Sequence, residues 1–186
     1  MDLRFASVAD LPQLKEMYTK IAKNMAQNNI FIWSETYPYH FFADDIEQNR
    51  LYVLIDNHEI AAAFALCDSN GGETYVQWDS EHEKTLYLSR LGVNVNYLKR
   101  GLGRKMLALA SSLAKEKNAT HLRLFVAEVN KPAMRLYTQN HFQKVEGYYD
   151  ELMDDGSIVR EFGFERELSD FEKMYRSQQT ASEFSL

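Results

Sequence analysis

The chain has 186 residues, and its 21 basic and 27 acidic residues give a formal net charge of −6. Hydrophobic residues make up 45% of the chain and charged residues 26%, which is typical of a folded globular protein and too apolar for a disordered one. The acidic balance gives no electrostatic basis for binding nucleic acid or an anionic membrane. The strongly apolar runs are far shorter than the roughly 20 residues of a membrane-spanning helix, so a cytoplasmic location is expected.

Cysteine and histidine usage gives no sign of a disulfide or a metal site. Cys67 is the only cysteine, so an internal disulfide is excluded and a buried position in a reducing compartment is expected. The five histidines are scattered, and no cysteine–histidine cluster has metal-ligand spacing. The sequence therefore predicts no metal ion.

The first predicted elements are a short strand and two helices. The strand covers residues 3–7, and the first helix runs to about Gln27 with Asp10 as its N-cap, Pro12 in its first turn and Gln13 in the capping-box position. Helical spacing connects its apolar residues, which are Leu14, Met17, Tyr18, Ile21 and Met25. A second helix is predicted over residues 40–48.

The segment between these two helices is dense in aromatic residues. Six of the chain's 24 aromatic residues fall in twelve positions, namely Phe31, Trp33, Tyr37, Tyr39, Phe41 and Phe42. Pro38 argues against one continuous helix through them. The rings either fill the core beneath a loop or line a ligand pocket, and the sequence leaves both readings open.

A hairpin, a longer strand and a helix are predicted in the middle of the chain. Residues 51–55 and 59–67 form the hairpin strands around a turn at 56–58, and a fourth strand covers about 85–95. That strand leads into a glycine-containing turn and a helix. The helix has one apolar stripe, formed by Leu102, Met106, Leu109 and Leu113.

The remaining pattern predicts a fifth strand, a short helix and a final hairpin. The strand covers 121–129, and the helix covers 130–140 with Pro132 in its first turn. The hairpin strands are 142–151 and 157–168, joined at Asp155 and Gly156. We expect one α/β domain over 1–168, with a mixed central sheet of about six to seven strands and helices on both faces, followed by a polar tail over 169–186.

The turn between the fourth strand and its helix is the most informative segment. The start of a helix has unpaired N–H groups and the positive end of the helix dipole, and glycine lets a ligand approach the backbone closely. Together these features form a phosphate site. Four basic residues lie within seven positions of this acidic chain: Lys99, Arg100, Arg104 and Lys105. A P-loop is absent, and Met106 stands where a dinucleotide fingerprint needs its third glycine. A tight turn before a solvated basic helix is the alternative.

Two segments together resemble the GNAT superfamily of acetyl-CoA-dependent N-acyltransferases. The first is the turn after the fourth strand, where the family has Arg/Gln-x-x-Gly-x-Gly/Ala and this chain has Gly101 and Gly103, with Leu98 at the Arg/Gln position. The second runs from Asn130 to Phe142 and is similar to the family's Asn-x-x-Ala-x-x-Leu-Tyr segment, with His141 in place of its final glycine. The resemblance covers roughly residues 1–168 and implies a GNAT-like acyl-CoA acyltransferase fold.

The resemblance implies acetyl-CoA as co-substrate. Its pantetheine arm is expected along the fourth strand, which splays from the fifth, at Leu91, Gly92 and Val93. Its pyrophosphate is expected on the turn amides of Lys99, Arg100, Gly101, Leu102, Gly103 and Arg104. Asn130 is expected to touch the arm, and Tyr137, on the same helix face, to lie near the thioester sulfur as the general acid. The structural alternatives are that Asn130 only caps the helix and Tyr137 only packs.

The implied reaction is direct attack of a primary amine on the thioester, without a covalent enzyme intermediate. An alkyl ammonium of pKa about 10.4 must first lose a proton, so a general base is expected. The sequence does not identify it: Glu35 and Glu128 are candidates, and Ser89 or Tyr87 could order a water. Cys67 is expected to be a core residue and not a nucleophile.

The acceptor is expected to be a small-molecule amine bound among aromatic side chains. Trp33, Glu35 and Tyr37 are assigned to its pocket, with Tyr148 and Tyr149 on the opposite wall. Two other functions stay open: a non-catalytic sensor that binds CoA or acyl-CoA, and a structural domain whose basic turn holds an acidic partner. A longer acyl donor and a homodimer are also compatible with the sequence.

Overall fold

One large sheet carries helices on both of its faces in the computed structural model, which describes residues 1–34, 36–80, 84–153 and 156–168. The predicted tail over 169–186 lies outside the described residues. The helices are α1 (Leu11–Gln27), α2 (Phe42–Glu47), α3 (Leu102–Glu116) and α4 (Lys131–Gln139). None of these helices, within the ranges just given, is long and apolar enough to cross a bilayer.

The strands lie before, between and after these helices along the chain. They are β1 (Asp2–Phe5), β2 (Leu51–Asp56), β3 (Glu59–Cys67), β4 (Val76–Gln77), β5 (Thr85–Val93), β6 (His121–Ala127), β7 (Gln143–Lys144), β8 (Glu146–Gly147), β9 (Tyr149–Leu152) and β10 (Ile158–Glu167). The spatial order is β1-β2-β3-β5-β6-β10-β7, and β9 also pairs with β10. The β5–β6 pair is parallel and the other pairs are antiparallel. This mixed sheet confirms the predicted fold class.

The two faces of the sheet bury different helices. On one face α1 and α2 pack through residues including Leu14, Tyr18 and Phe42. On the other face α3 and α4 pack through residues including Leu102, Met106 and Tyr137. The predicted stripe of α3 is thus directed into the core, because residues three and four apart lie on the same side of a helix.

Several predicted boundaries differ from the structure, and the largest difference is the strand predicted over 142–151. That segment is broken into β7, β8 and β9. Gly147 has φ 97°, and the chain bends there so that β8 pairs with β4 and not with the main sheet. The fourth predicted strand ends at Val93, because the Asn94 side chain accepts the Asn96 N–H at 3.1 Å and starts a 3₁₀ turn. The second helix begins only at Phe42, after another 3₁₀ turn.

The predicted capping role of Gln13 is wrong. Asp10 precedes α1, but its carboxylate accepts the Ser7 N–H at 2.7 Å. The Gln13 side chain instead accepts the Ile60 N–H at 2.6 Å and donates to the His58 carbonyl at 3.2 Å. A residue assigned to local capping therefore ties α1 to the turn between β2 and β3.

Candidate functional site

The parallel strands β5 and β6 separate towards their carboxyl ends. They pair from Thr85–His121 to Tyr87–Arg123, although β5 continues to Val93 and β6 to Ala127. Along these last residues the facing edges of the two strands are not hydrogen-bonded to each other. A cleft therefore opens between them, and β5 presents backbone groups along one of its sides.

A β-bulge shapes β5 beside this cleft. Arg90 and Leu91 together oppose the single residue Phe64 of β3, and Arg90 has φ 57°. The Tyr18 hydroxyl, from α1, donates to the Arg90 carbonyl. The Arg90 guanidinium forms an ion pair with the buried carboxylate of Asp45, from α2, at 2.6 Å. Helices α1 and α2 thus hold the bulge in position.

The cleft widens into a cavity of about 1160 Å³ that brings together most of the predicted site residues. Its walls include Trp33, Tyr37, Leu91, Gly92, Val93, Lys99, Asn130 and Tyr137. These residues come from the α1–α2 connection, β5, the turn before α3, and α4. Chain segments that are distant in sequence therefore meet at the splayed end of the parallel pair.

The rest of the predicted phosphate turn lies beside this cavity at the start of α3. Gly101 has φ 75° and precedes the helix, and a side chain at this φ would be strained. The first helical bond runs from the Lys105 N–H to the Gly101 carbonyl at 3.1 Å, so the amides of residues 102–104 precede it. The Leu102 side chain is buried in the core, so this residue can offer a ligand only its backbone.

Asn130 and Tyr137 have structural roles and still line the cavity. Asn130 caps α4, because its side-chain oxygen accepts the Ala133 N–H at 3.2 Å. The Tyr137 ring lies 5.9 Å from that of Phe142 and 6.3 Å from that of Phe164, and the residue is 8% exposed. Burial raises the pKa of Tyr137, so its hydroxyl keeps its proton at neutral pH.

Some of the residues predicted to form the acceptor pocket line the cavity. Trp33, Tyr37 and Tyr149 line the cavity. Tyr148 does not: it is 48% exposed, and the Arg160 guanidinium lies 3.9 Å from its ring centroid. Glu35 lies outside the described residues.

Two of the residues considered for activating the amine, Glu128 and Tyr87, are not part of the cavity wall. Glu128 is exposed. Tyr87 is buried against β6, where its hydroxyl accepts from Arg123 at 3.4 Å. Ser89 does line the cavity. Cys67 is buried as predicted, but it also adjoins the cavity, and its sulfur accepts from Arg90 at 3.2 Å.

Sequence reasoning missed the two glutamates in the cavity wall, Glu151 and Glu161. In the β9–β10 ladder Tyr149 is opposite Glu161 and Glu151 is opposite Val159. Since side chains alternate along a strand, Tyr149, Glu151 and Glu161 share one face of this hairpin. Burial raises the pKa of Glu151, and burial followed by the nearby Glu151 charge raises the pKa of Glu161 to about 8.

Position 92 requires a glycine because the Tyr18 ring lies against its backbone. A Cβ at position 92 would lie 2.9 Å from the Tyr18 ring, and that ring cannot move away without losing the hydroxyl bond to Arg90. We therefore expect Gly92→Ala to lower the free energy of unfolding by about 1–3 kcal/mol, measured by denaturant titration. Gly71→Ala is the control, because its Cβ would meet only the Tyr149 hydroxyl at 3.8 Å. Equal stabilities for the two variants would contradict this account.

A family model described as "Acetyltransferase (GNAT) family" matches residues 13–142 of the chain. Comparison with curated proteins found no match. Solved structures share the fold at low sequence identity, as the next three show.

A GNAT-family acetyltransferase from Streptococcus agalactiae 2603 is 16% identical and superposes with a TM-score of 0.75, covering 91% of this chain and 96% of its own. One from Listeria monocytogenes 4b F2365 is 19% identical with a TM-score of 0.69, covering 89% of this chain and 94% of its own. The protein yncA from Salmonella typhimurium, solved with its cofactor acetyl-CoA, is 18% identical with a TM-score of 0.62, covering 91% of this chain and 95% of its own.

Proposed function

The chain belongs to the GNAT acetyltransferase family, and from that premise we propose that it transfers an acetyl group from acetyl-CoA to a small-molecule primary amine by direct attack. The single observation that carries the proposal is the meeting of Tyr137 with the unpaired edge of β5 in one cavity. A proton donor thus faces the strand edge along which an extended thioester arm can bind.

The residues around the cleft fit acetyl-CoA in chemistry. The backbone of Leu91–Val93 offers hydrogen-bonding groups to the amides of the pantetheine arm. The amides at the start of α3 and the side chains of Lys99, Arg100 and Arg104 suit the pyrophosphate. The Asn130 side-chain oxygen is used by the helix cap, which leaves its NH₂ group to donate to the arm. When bound, acetyl-CoA supplies the activated acetyl group.

Glu161 is the residue we assign as general base. It lies opposite Ala127, the last residue of β6, where the cleft opens, and it lines the cavity. Its pKa, raised to about 8 by burial and by Glu151, is close to the operating pH, as an efficient base requires. A carboxylate with an ordinary pKa would accept the proton of an alkyl ammonium much less readily.

The proposed proton transfers balance the reaction. Glu161 takes one proton from the ammonium, whose nitrogen then attacks the thioester carbonyl carbon. The C–N bond forms, the C–S bond breaks, and Tyr137 donates its proton to the departing sulfur. The second amine proton leaves to solvent, Glu161 releases its proton, and Tyr137 is reprotonated from solvent. Each turnover therefore releases one proton, one amide and one free thiol.

The test is an assay of the purified chain with acetyl-CoA and a panel of primary amines, following free thiol and acetylated product. We expect thiol release that depends on the amine and calorimetric binding of acetyl-CoA. Binding without turnover for every amine would favour the non-catalytic sensor. Absence of binding at millimolar acetyl-CoA would overturn both functions.

A further inference from the structure

We call the part of the cavity lined by Trp33, Tyr37 and Tyr149 the acceptor half. Among the described residues, two of its negative side chains are not offset by a positive one. Its two arginines have acidic partners: Arg90 pairs with Asp45, and Arg50 pairs with both Asp44 and Asp45. Glu151 and Glu161 also line the cavity, yet no lysine, arginine or histidine among the described residues forms an ion pair with either of them. The protein therefore leaves two carboxylates there without a positive partner.

The two carboxylates lie at different depths of the cavity. Glu161 is opposite Ala127, where β5 and β6 separate. Burial raises the pKa of Tyr137, and the charge of the nearby Glu161 is the next cause. Glu151 lies two residues beyond Tyr149, the ladder partner of Glu161, towards the tip of the hairpin. Burial raises the pKa of Tyr37, and the charge of the nearby Glu151 is the next cause. Diagonal neighbours in an antiparallel pair are about 7–8 Å apart, a gap that a short alkyl chain can bridge.

The surroundings of Glu151 favour a cation. An ionised carboxylate that is partly removed from water is destabilised unless a positive charge compensates it. The rings of Tyr37 and Tyr149 line the same part of the cavity, and aromatic faces also attract cations. A second positive group on the acceptor would satisfy both the carboxylate and the rings, whereas a carboxylate at that place would meet like charge.

We propose that the acceptor is a diamine without an acidic group, whose reacting amine binds beside Glu161 and whose second ammonium binds beside Glu151. This inference rests on the proposed acetyl transfer. It adds a specificity-determining residue, Glu151, which recognises the distal cation and does not itself accept or donate a proton in the reaction.

The first experiment compares three acceptors that share one four-carbon chain and one reacting amine: diaminobutane, butylamine and aminobutyrate. We expect kcat/KM for diaminobutane to exceed that for butylamine by roughly tenfold or more, and aminobutyrate to be the poorest acceptor. Equal values for diaminobutane and butylamine, or a preference for aminobutyrate, would overturn the inference and leave the acetyl transfer standing. Acetyl-CoA binding with transfer to none of the three would overturn it as well.

The second experiment uses Glu151→Gln with the same three acceptors. Loss of the Glu151 charge also lowers the pKa of Glu161, and this affects all three acceptors alike. The readout is therefore the ratio of kcat/KM for diaminobutane to kcat/KM for butylamine, which we expect to fall roughly tenfold because only diaminobutane loses the distal contact. Glu151→Asp should keep part of the preference, because it keeps the charge. Glu146→Gln, an exposed position on β8, is the matched control and should behave as wild type.

A binding readout separates recognition from a structural role. Calorimetric titration of diaminobutane into the complex with CoA, which cannot turn over, should show roughly tenfold weaker binding for Glu151→Gln while the affinity for CoA stays the same. Equal loss of activity with all three acceptors, together with weaker CoA binding, would mean that Glu151 only supports the hairpin and would overturn the inference. A chain that does not bind acetyl-CoA would instead overturn the proposed function on which it rests.

Discussion

Replacing Tyr137 by phenylalanine is expected to lower kcat by roughly 100-fold or more while the affinity for acetyl-CoA stays within about threefold. The substitution removes only the hydroxyl, and a positioned proton donor typically contributes 10²–10⁴-fold to the rate. The ring keeps its packing against Phe142 and Phe164, so the free energy of unfolding should change little. Rates of thiol release, calorimetric affinity and denaturant titration measure the three quantities on one preparation.

Tyr148→Phe is the matched control for this experiment. It removes a hydroxyl from an exposed tyrosine outside the cavity wall, so turnover should be that of wild type. A Tyr137→Phe variant with wild-type kcat would exclude the proton-donor role. A variant that loses turnover and acetyl-CoA affinity together would show that the tyrosine acts by packing.

Replacing Glu161 by glutamine is expected to lower kcat/KM by roughly 10²–10³-fold and to change its pH dependence. The wild-type carboxylate must be unprotonated to act as a base, and its pKa is about 8, so the rate should rise about tenfold per pH unit up to that value. The amine titrates as well, but it is the same in both proteins. The difference between the two pH profiles therefore reports the titration of Glu161. The groups that interact with its charge also influence that titration; they are Glu151, Tyr137, Tyr149 and Tyr37.

The same substitution should have the opposite effect on stability. Between the ordinary pKa of 4.5 and the raised value of about 8, the folded chain holds a proton at Glu161 that the unfolded chain has lost. Stability contributed by this group therefore falls as the pH rises through that window. Glutamine cannot ionise, so Glu161→Gln should be more stable than wild type by on the order of 2–4 kcal/mol at pH 9 and equal to it near pH 4.

Denaturant titrations of both proteins at pH 4 and pH 9 provide the comparison, with Glu146→Gln as the control for an exposed glutamate. A less active but equally stable variant at pH 9 would mean that the carboxylate is not desolvated in the folded chain. An unchanged rate at every pH would remove Glu161 from the mechanism.

The residues proposed to bind the cofactor could be singled out from the sequence because their signals are local. Gly101, the basic residues around it and the start of α3 follow one another directly, and Asn130 and Tyr137 are seven residues apart on one helix. Each of these patterns can be recognised within a few turns of chain, without knowledge of which strands pair. The mixed sheet followed from the same local alternation of strands and helices.

The two glutamates of the acceptor wall could not be predicted, because their placement depends on register and on breaks in strands. Glu151 and Glu161 share a face only through the pairing of β9 with β10, and the break at Gly147 that starts β9 was not foreseen. Glu128 is a candidate base on the sequence because it lies near the end of β6, but its side chain is exposed. The bulge at Arg90 depends on contacts from α1 and α2, which no short window of sequence contains.

The β9–β10 hairpin has a consequence for how this protein could change its substrate. Among the described strands β9 pairs with β10 alone, so its outer positions can vary without disturbing β5, α3 or α4. If acceptor choice lies on this hairpin, a few substitutions there could redirect the chain to a new amine. The same separation makes the hairpin a suitable target for grafting and library selection, with the residues proposed to bind acetyl-CoA left unchanged.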